Sequence, residues 1–333
     1  MKVIDNTTYT STCMLSFERP AQIEKPHTRK PWPTELVQHE REREPRVERV
    51  ICLSDIHNDL LAAQASLRQQ DIIDEHGEWK HSVNLIITGD SINRNEPNTE
   101  VLKYFRHLKK TAPIGCTVTM LVGNHELDVL TQIASGADMG LKKKMQEFLG
   151  SMDVVCRQGP VLYLHRYPSM RLVRELWQQY QEQGGNPDVW RINRRFQEAV
   201  LTMHQTPERS KTVFRECDDG GDEMALEGLS TELYFQNYGV LIGQFLKEMR
   251  ITTVIHGHKK QKEGGQRFEQ YIPGICVVNN DSAISSDKNL EHQHRIGSLE
   301  VAPAPDEGVE VTCRYKPNIK PNGRVRTQTA TIH

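Results

Sequence analysis

No apolar run in the 333 residues approaches the ~20 that a helix needs to cross a bilayer core, so no membrane span is expected. Residues 1–14 are polar and Thr-rich, without the charged start and apolar core of a secretory signal. An excess of one charge is missing too. The 42 Lys and Arg face 44 Asp and Glu, for a net charge of −2, which gives no global pull toward nucleic acid. The seven cysteines (Cys13, Cys52, Cys116, Cys156, Cys217, Cys276, Cys313) are odd in number, scattered and without a Cys-x-x-Cys pair. That pattern argues against a disulfide framework or a zinc knuckle. Several sit in apolar runs, where Cys packs as a small hydrophobe. A reducing, cytoplasmic setting fits this usage.

Residues 1–46 read as a polar lead segment. Pro20, Pro26, Pro31 and Pro33 interrupt regular structure, and 40–46 is a dense run of mixed charge, the pattern of a flexible, solvated arm. A partner-binding arm is the sharper alternative. From Arg46 onward, β-branched runs alternate with helical patterns, which predicts a parallel or mixed sheet flanked by helices over 47–315. Helices are expected at 59–70, 99–110, 127–149 and 231–249, with a helical hairpin at 169–204 broken near Gly184-Gly185-Asn186-Pro187. With the acidic, Gly-containing stretch 216–232, read as a surface loop, this hairpin makes an insertion over 166–232. The basic, Thr-rich tail 316–333 is expected to fray. The composition of lead arm, loop and tail fits docking elements and export signals equally.

Several strand-like runs end in metal-binding residue types. Val50-Ile51-Cys52-Leu53 runs into Ser54-Asp55-Ile56-His57. Leu85-Ile86-Ile87-Thr88 runs into Gly89-Asp90-Ser91-Ile92-Asn93-Arg94. Thr119-Met120-Leu121-Val122 runs into Gly123-Asn124-His125-Glu126. Val161-Leu162-Tyr163-Leu164 ends in His165, and Thr253-Val254-Ile255 in His256-Gly257-His258. Each piece alone is weak, since an Asp-x-His occurs by chance and a Gly-Asp is often only a turn. In order, and each at a strand end, they specify a mixed oxygen and nitrogen site for divalent ions such as Mn, Fe or Zn. Two such ions about 3.5 to 4 Å apart clamp a phosphoryl group.

These residues resemble the calcineurin-like metallophosphoesterase superfamily, and within it the phosphoprotein phosphatase branch. That ordered signature is GDxHG, GDxVDRG, GNHE, a strand-ending His and a late GH, and the match spans about 47–285. The resemblance implies a four-layer αββα sandwich of two mixed sheets with helices outside. It implies two divalent metal ions, manganese foremost. Asp55, His57 and Asp90 would hold the first; Asp90, Asn124, His165 and His258 would hold the second. His256 stays an outside candidate, because two histidines spaced by two both bind metal in other branches. Arg94, Asn124 and His125 would bind the phosphate, and His125 would be general acid toward the leaving oxygen. A hydroxide bridging the ions would attack phosphorus in line.

The departures from the pattern carry information. Asn58 and Asn95 stand where the family has Gly, and Asn is the non-glycine residue that best tolerates positive φ. Asn93 replaces the Asp that supports the catalytic His. A neutral amide stabilises an imidazolium less than a carboxylate does, so His125 is expected to be a poorer proton donor, unless Asp59, Glu126 or Asp128 substitutes. That favours good leaving groups such as a tyrosine phenolate. Arg166-Tyr167 replaces a Gly-Gly after His165. The hairpin arginines (Arg171, Arg174, Arg191, Arg194, Arg195) read either as a solvated face or as the source of a second phosphate ligand. The expected activity is that of a protein phosphatase on a phosphorylated protein substrate. The alternatives are a diadenosine polyphosphate hydrolase, which needs a base-stacking aromatic such as Tyr167 or Trp177, and an inactive scaffold.

Overall fold

The computed structural model describes residues 49–185, 189–218, 229–259, 268–281, 296–304, 308–316 and 326–332. The lead segment 1–46 and most of the acidic stretch 216–232 lie outside the described residues. One sheet contains β1 (Val50–Leu53), β2 (Asn84–Ile87), β3 (Val118–Met120), β9 (Ile296–Pro303), β10 (Val309–Lys316) and β11 (Arg326–Ile332), in the order β11-β10-β9-β1-β2-β3. The other contains β4 (Val155–Gln158), β5 (Val161–Leu164), β6 (Thr253–His256), β7 (Phe268–Glu269) and β8 (Cys276–Asn279), in the order β4-β5-β6-β8-β7. Both are mixed. β1, β2 and β3 are parallel, as are β5, β6 and β8, with antiparallel strands outside them.

Side-chain alternation builds the layers, because successive strand residues point to opposite faces. Val50, Cys52 and Ile86 of one sheet share a buried cluster with Val161, Tyr163, Ile255 and Val278 of the other. Their neighbours Ile51, Leu53, Leu85, Leu162 and Val254 join a second cluster with helical residues such as Leu67, Phe105, Leu176 and Leu246. The expected four-layer αββα sandwich follows. The helices are α1 (Leu60–Gln69), α2 (Thr99–Lys110), α3 (Asn124–Ala134), α4 (Lys143–Leu149), α5 (Met170–Glu182), α6 (Trp190–Thr202), α7 (Pro207–Cys217) and α8 (Thr231–Glu248). None of the described helices is long and apolar enough to cross a membrane.

Three expectations change. The single helix over 127–149 is two, because Gly136 and Gly140 adopt φ of 89° and 67° between them, a conformation that ends helices. The hairpin is followed by a third helix, α7, opened by Pro207 in its first turn, where proline's missing N–H costs nothing. The tail does not simply fray. Its Thr-rich alternation suits a strand, and β11 pairs with β10 from Arg326 to Ile332.

Helix α8 lies against the approach to β8 through two glycines. A Cβ on Gly239 would sit 2.6 Å from the Tyr271 carbonyl oxygen, and one on Gly243 2.8 Å from that of Pro273. Alanine in place of a helical glycine normally stabilises by about 1 kcal/mol. Here the contact reverses the sign. Gly239→Ala is expected to destabilise by roughly 1–3 kcal/mol in urea unfolding. A gain in stability would show that the close approach is absent.

Candidate metal centre

The parallel strands of both sheets present their carboxyl ends to one place. Asp55 and His57 follow β1, Asp90 follows β2, and Asn124 and His125 open α3 just after β3. His165 follows β5, while His256 and His258 end and follow β6. The loops are stitched together. The amides of Asp55, His57 and Asn58 donate to the carbonyls of Gly89, Asp90 and Ser91 at 3.1, 2.9 and 3.0 Å, and Gly257 donates to His165 at 2.9 Å. Asp55, His57, Asn58, Asp90 and His258 all have positive φ. Asn58 thus keeps the glycine-like shape expected of it. Asn95 is not among the described positive-φ residues, so its loop takes another path.

Two groups of ligand atoms converge and share Asp90. One is His57, Asp90 and His125; the other is Asp90, His165 and His258, and within each group the atoms lie within 4.8 Å of one another. His57 Nε2 stands 3.8 Å from Asp55 Oδ1 and 3.9 Å from Asp90 Oδ2. His165 Nε2 stands 3.4 Å from Asp90 Oδ1. Asn124 Oδ1 lies 3.0 Å from His165 Nε2 and 2.9 Å from His258 Nδ1. All the residues named for the two sites except His256 therefore meet here.

This donor set fits a pair of divalent cations. Burial holds the His165 imidazole well below its ordinary pKa and takes that of His258 down to about 3, so both rings are neutral near pH 7. The Thr88 carbonyl lies 2.8 Å from His165 Nδ1; a proton there leaves the Nε2 lone pair for a ligand. Burial, then the charges of Asp281 and Asp90, push the Asp55 carboxyl well above its usual range; burial, then Glu126, does so for Asp90. Asn124 presents its amide oxygen to these groups; turned over, the amide would donate to them and accept from Arg94. Lone pairs and crowded carboxylates at one point call for positive charge.

Glu126 is the structural anchor rather than a partner for His125. Its carboxylate accepts from the backbone amides of Gly123, Asp90, Ser91 and Ile92 at 2.8, 2.9, 2.7 and 3.1 Å. Asp59 caps α1 by accepting from Ala62. His125 Nδ1 lies 3.1 Å from the Ile92 carbonyl and 3.2 Å from His57 Nδ1. Its pKa is lowered by burial, then by Arg94, with the Ile92 carbonyl and Asp128 opposing. Of the proposed substitute carboxylates, Asp128 is the one whose charge acts there. Asn93 donates its side-chain amide to the His57 carbonyl at 3.3 Å and its backbone amide to the Asn58 side-chain oxygen at 3.1 Å.

Arg94 rests on Asp128 at 3.2 Å, half exposed. Three of the hairpin arginines are engaged elsewhere: Arg191 with Glu182, Arg194 with Glu198, and Arg195 with Glu175. Besides Arg94, Arg166 is near the ligands, and its charge acts on Asp90, His125, His165 and His258. Its signal in the sequence was its place directly after His165. Asp281, whose charge acts on Asp55, was not singled out by the sequence either, although it too lies just past a strand end, that of β8. His256 is fully buried away from both groups, with Nδ1 2.7 Å from the Gly257 carbonyl and Nε2 3.3 Å from Glu269. It is placed to brace the His258 loop.

A sandwich with this strand-end cluster is a metallophosphoesterase architecture. The family model for calcineurin-like phosphoesterases matches residues 48–261, more than half of the chain, and the chain belongs to that family. Its fold is similar to a cold-active protein-tyrosine phosphatase of the psychrophile Shewanella sp., with a TM-score of 0.54 at 18% identity, over 86% of this chain and 80% of that one. A second structure of a cold-active protein tyrosine phosphatase gives 0.53 at 17%, over 84% and 78%. A protein serine/threonine phosphatase from Saccharomyces cerevisiae gives 0.43 at 15%, over 86% and 81%. At these identities the likeness to the two tyrosine phosphatase structures is one of fold. No curated protein matches the chain.

The raised Asp90 pKa has a measurable consequence in the metal-free protein. The unfolded carboxyl titrates near pH 3.9, so the cost of burying its charge is absent below about pH 4 and grows as pH rises. Metal-free Asp90→Asn is expected to melt above the metal-free parent at pH 7.5, with the gap closing by pH 4. Manganese should raise the melting temperature of the parent far more than that of the variant. Equal metal-induced shifts would remove Asp90 from the ligand set.

Proposed function

We propose that the chain is a dinuclear-metal-dependent phosphomonoesterase acting on phosphorylated protein, with phosphotyrosine preferred over phosphoserine. The observation that carries this is the pair of ligand groups sharing Asp90, with Arg94 and His125 at the edge of the cluster. When bound, the ions supply Lewis-acid charge and lower the pKa of a coordinated water. Manganese is the metal expected first, with iron or zinc as alternatives. Arg94, Asn124 and Arg166 bind the phosphoryl oxygens. An arginine fork suits that task, and positive charge fixed in advance stabilises the transition state.

His125 delivers the proton to the leaving oxygen. With its pKa lowered, a smaller fraction of the ring is protonated near neutral pH. A serine alkoxide needs that proton; a tyrosine phenolate, of pKa ~10, leaves with less help. The nucleotide-hydrolase reading finds little support. Tyr167 is buried among His256, Phe235 and Tyr271 and donates to Glu269 at 2.9 Å, and Trp177 packs on Tyr180 and Phe245. Neither offers an open face for a base.

Two peptides of one sequence, phosphorylated on tyrosine or serine, test the reading with manganese, iron, zinc and magnesium. Faster hydrolysis of the phosphotyrosine peptide is expected, and a clear phosphoserine preference refutes it. His125→Asn should lower kcat on the phosphoserine peptide by about 10²–10⁴-fold and on the phosphotyrosine peptide by clearly less. Equal losses would take the general-acid role away from His125.

A further inference from the structure

We propose that Asp218, carried by the α5–α7 insertion, is a positioning residue for the phosphate pocket. It holds the Arg166 guanidinium beside Asn124 and His165, so that the remaining guanidinium edge meets the phosphoryl oxygens of the substrate. The inference rests on the phosphomonoesterase reading above and assigns the insertion a part in it.

Arg166 Nε approaches Asp218 Oδ1 at 2.7 Å, and Nη2 donates to Oδ2 at 3.4 Å. The closer contact is ionic, with the N–H not aligned on the oxygen. Both side chains are mostly covered, 18% and 24% exposed, so solvent screens the pair less than it screens a surface pair. Arg166, Asp218, Asn124 and His165 line one small cavity. A guanidinium carries five N–H donors in a fixed fork. Asp218 faces the Nε and Nη2 side, and among the described residues no acceptor meets Nη1, which with the second Nη2 hydrogen can face another anion.

The placement of Asp218 is not explained by its helix. Its amide closes α7 on the Phe214 and Arg215 carbonyls at 3.0 and 3.2 Å, and a carboxylate at a helix C-terminus opposes the macrodipole. The negative end of α7 instead adds to the attraction on Arg166. The rest of the insertion seats this end. Arg171 of α5 donates to the Glu216 carbonyl. Arg195 of α6 lies 3.9 Å from the Glu216 carboxylate while donating twice to Glu175 at 3.1 Å. Arg171 and Arg195 thus fix the helix end that carries Asp218, and Arg166 lines the cavity beside the ligands.

The test is a double-mutant cycle on the manganese-loaded full chain, with inorganic phosphate as the probe and calorimetry as the readout. Metal content and melting temperature are measured for each protein. Arg166→Ala is expected to weaken phosphate binding by roughly tenfold or more, the loss of charge-assisted hydrogen bonds. Asp218→Asn should weaken it by about three- to tenfold, with KM for an aryl phosphate rising more than kcat falls. The double variant should be no worse than Arg166→Ala alone. Asp218→Glu, which keeps the charge on a longer stem, should also weaken phosphate binding and serves if Asp218→Asn misfolds. Unchanged or tighter phosphate binding in the Asp218 variants overturns the proposal, as does a loss that adds in full to that of Arg166→Ala. Turnover of the aryl phosphate by the parent reports separately on the phosphomonoesterase reading. Turnover without coupling defeats the positioning role alone, and coupling without turnover defeats the activity alone.

Discussion

One buried carboxylate organises the centre. Glu126 accepts four backbone amides, one before α3 and three after β2, and so joins the loop that bears Asp90 to the loop that bears Asn124 and His125. Unpaired in a buried position, those amides would each cost about 1–3 kcal/mol, and the two loops would have no reason to keep their spacing. The fit leaves no slack. A Cβ on Gly123 would collide with Asp90 Oδ1, and one on Gly89 would stand 2.6 Å from His165 Nδ1. The glycines on either side are needed because the carboxylate draws the loops into contact.

The second requirement is that two sheets end at the same level. Asp55, Asp90 and Asn124 come from one sheet, and His165 and His258 from the other. Their convergence depends on the inter-sheet cluster of Val50, Cys52, Ile86, Tyr163 and Ile255. Across the seam, the His258 amide donates to the Asp55 carboxylate at 3.0 Å, and Gly257 leaves room because a Cβ there would meet Ser54 Oγ and Asp55 Oδ2. A small residue before the last ligand histidine is therefore a packing necessity at the sheet-to-sheet contact.

Strand-end position made the ligands legible in the sequence, because an apolar run that stops at a carboxylate or imidazole reports both the strand and the site. His165 and Asp90 were found this way. Asp281 obeys the same rule, but Asn280 separates it from its strand and no motif marks it. Spacing along the chain places Asn93 in the loop that faces His57 and His125 but does not give the direction of its side chain, whose amide donates to the His57 carbonyl. The insertion was visible as helical, yet α7 was not, since its highly charged sequence (Glu208, Arg209, Lys211, Arg215, Glu216) resembles the acidic loop expected beside it. The partners of Arg171 and Arg195 lie on other helices, which no local pattern reveals.

The ligand loops are also where the backbone is least relaxed. Asp55, His57, Asp90 and His258 have φ of 53°, 46°, 50° and 66°, in the left-handed region that costs a non-glycine residue about 1–3 kcal/mol. Two of these residues are carboxylates whose burial already disfavours their charge. Local strain and buried like charges at one point destabilise the metal-free fold, and the packed sheets and the Glu126 clamp hold it nonetheless. A bound cation offsets the charge term and uses the strained directions, since those φ values aim the side chains at a common point. The packed sheets and the Glu126 clamp thus hold the ligand directions at the place where a bound cation would use them.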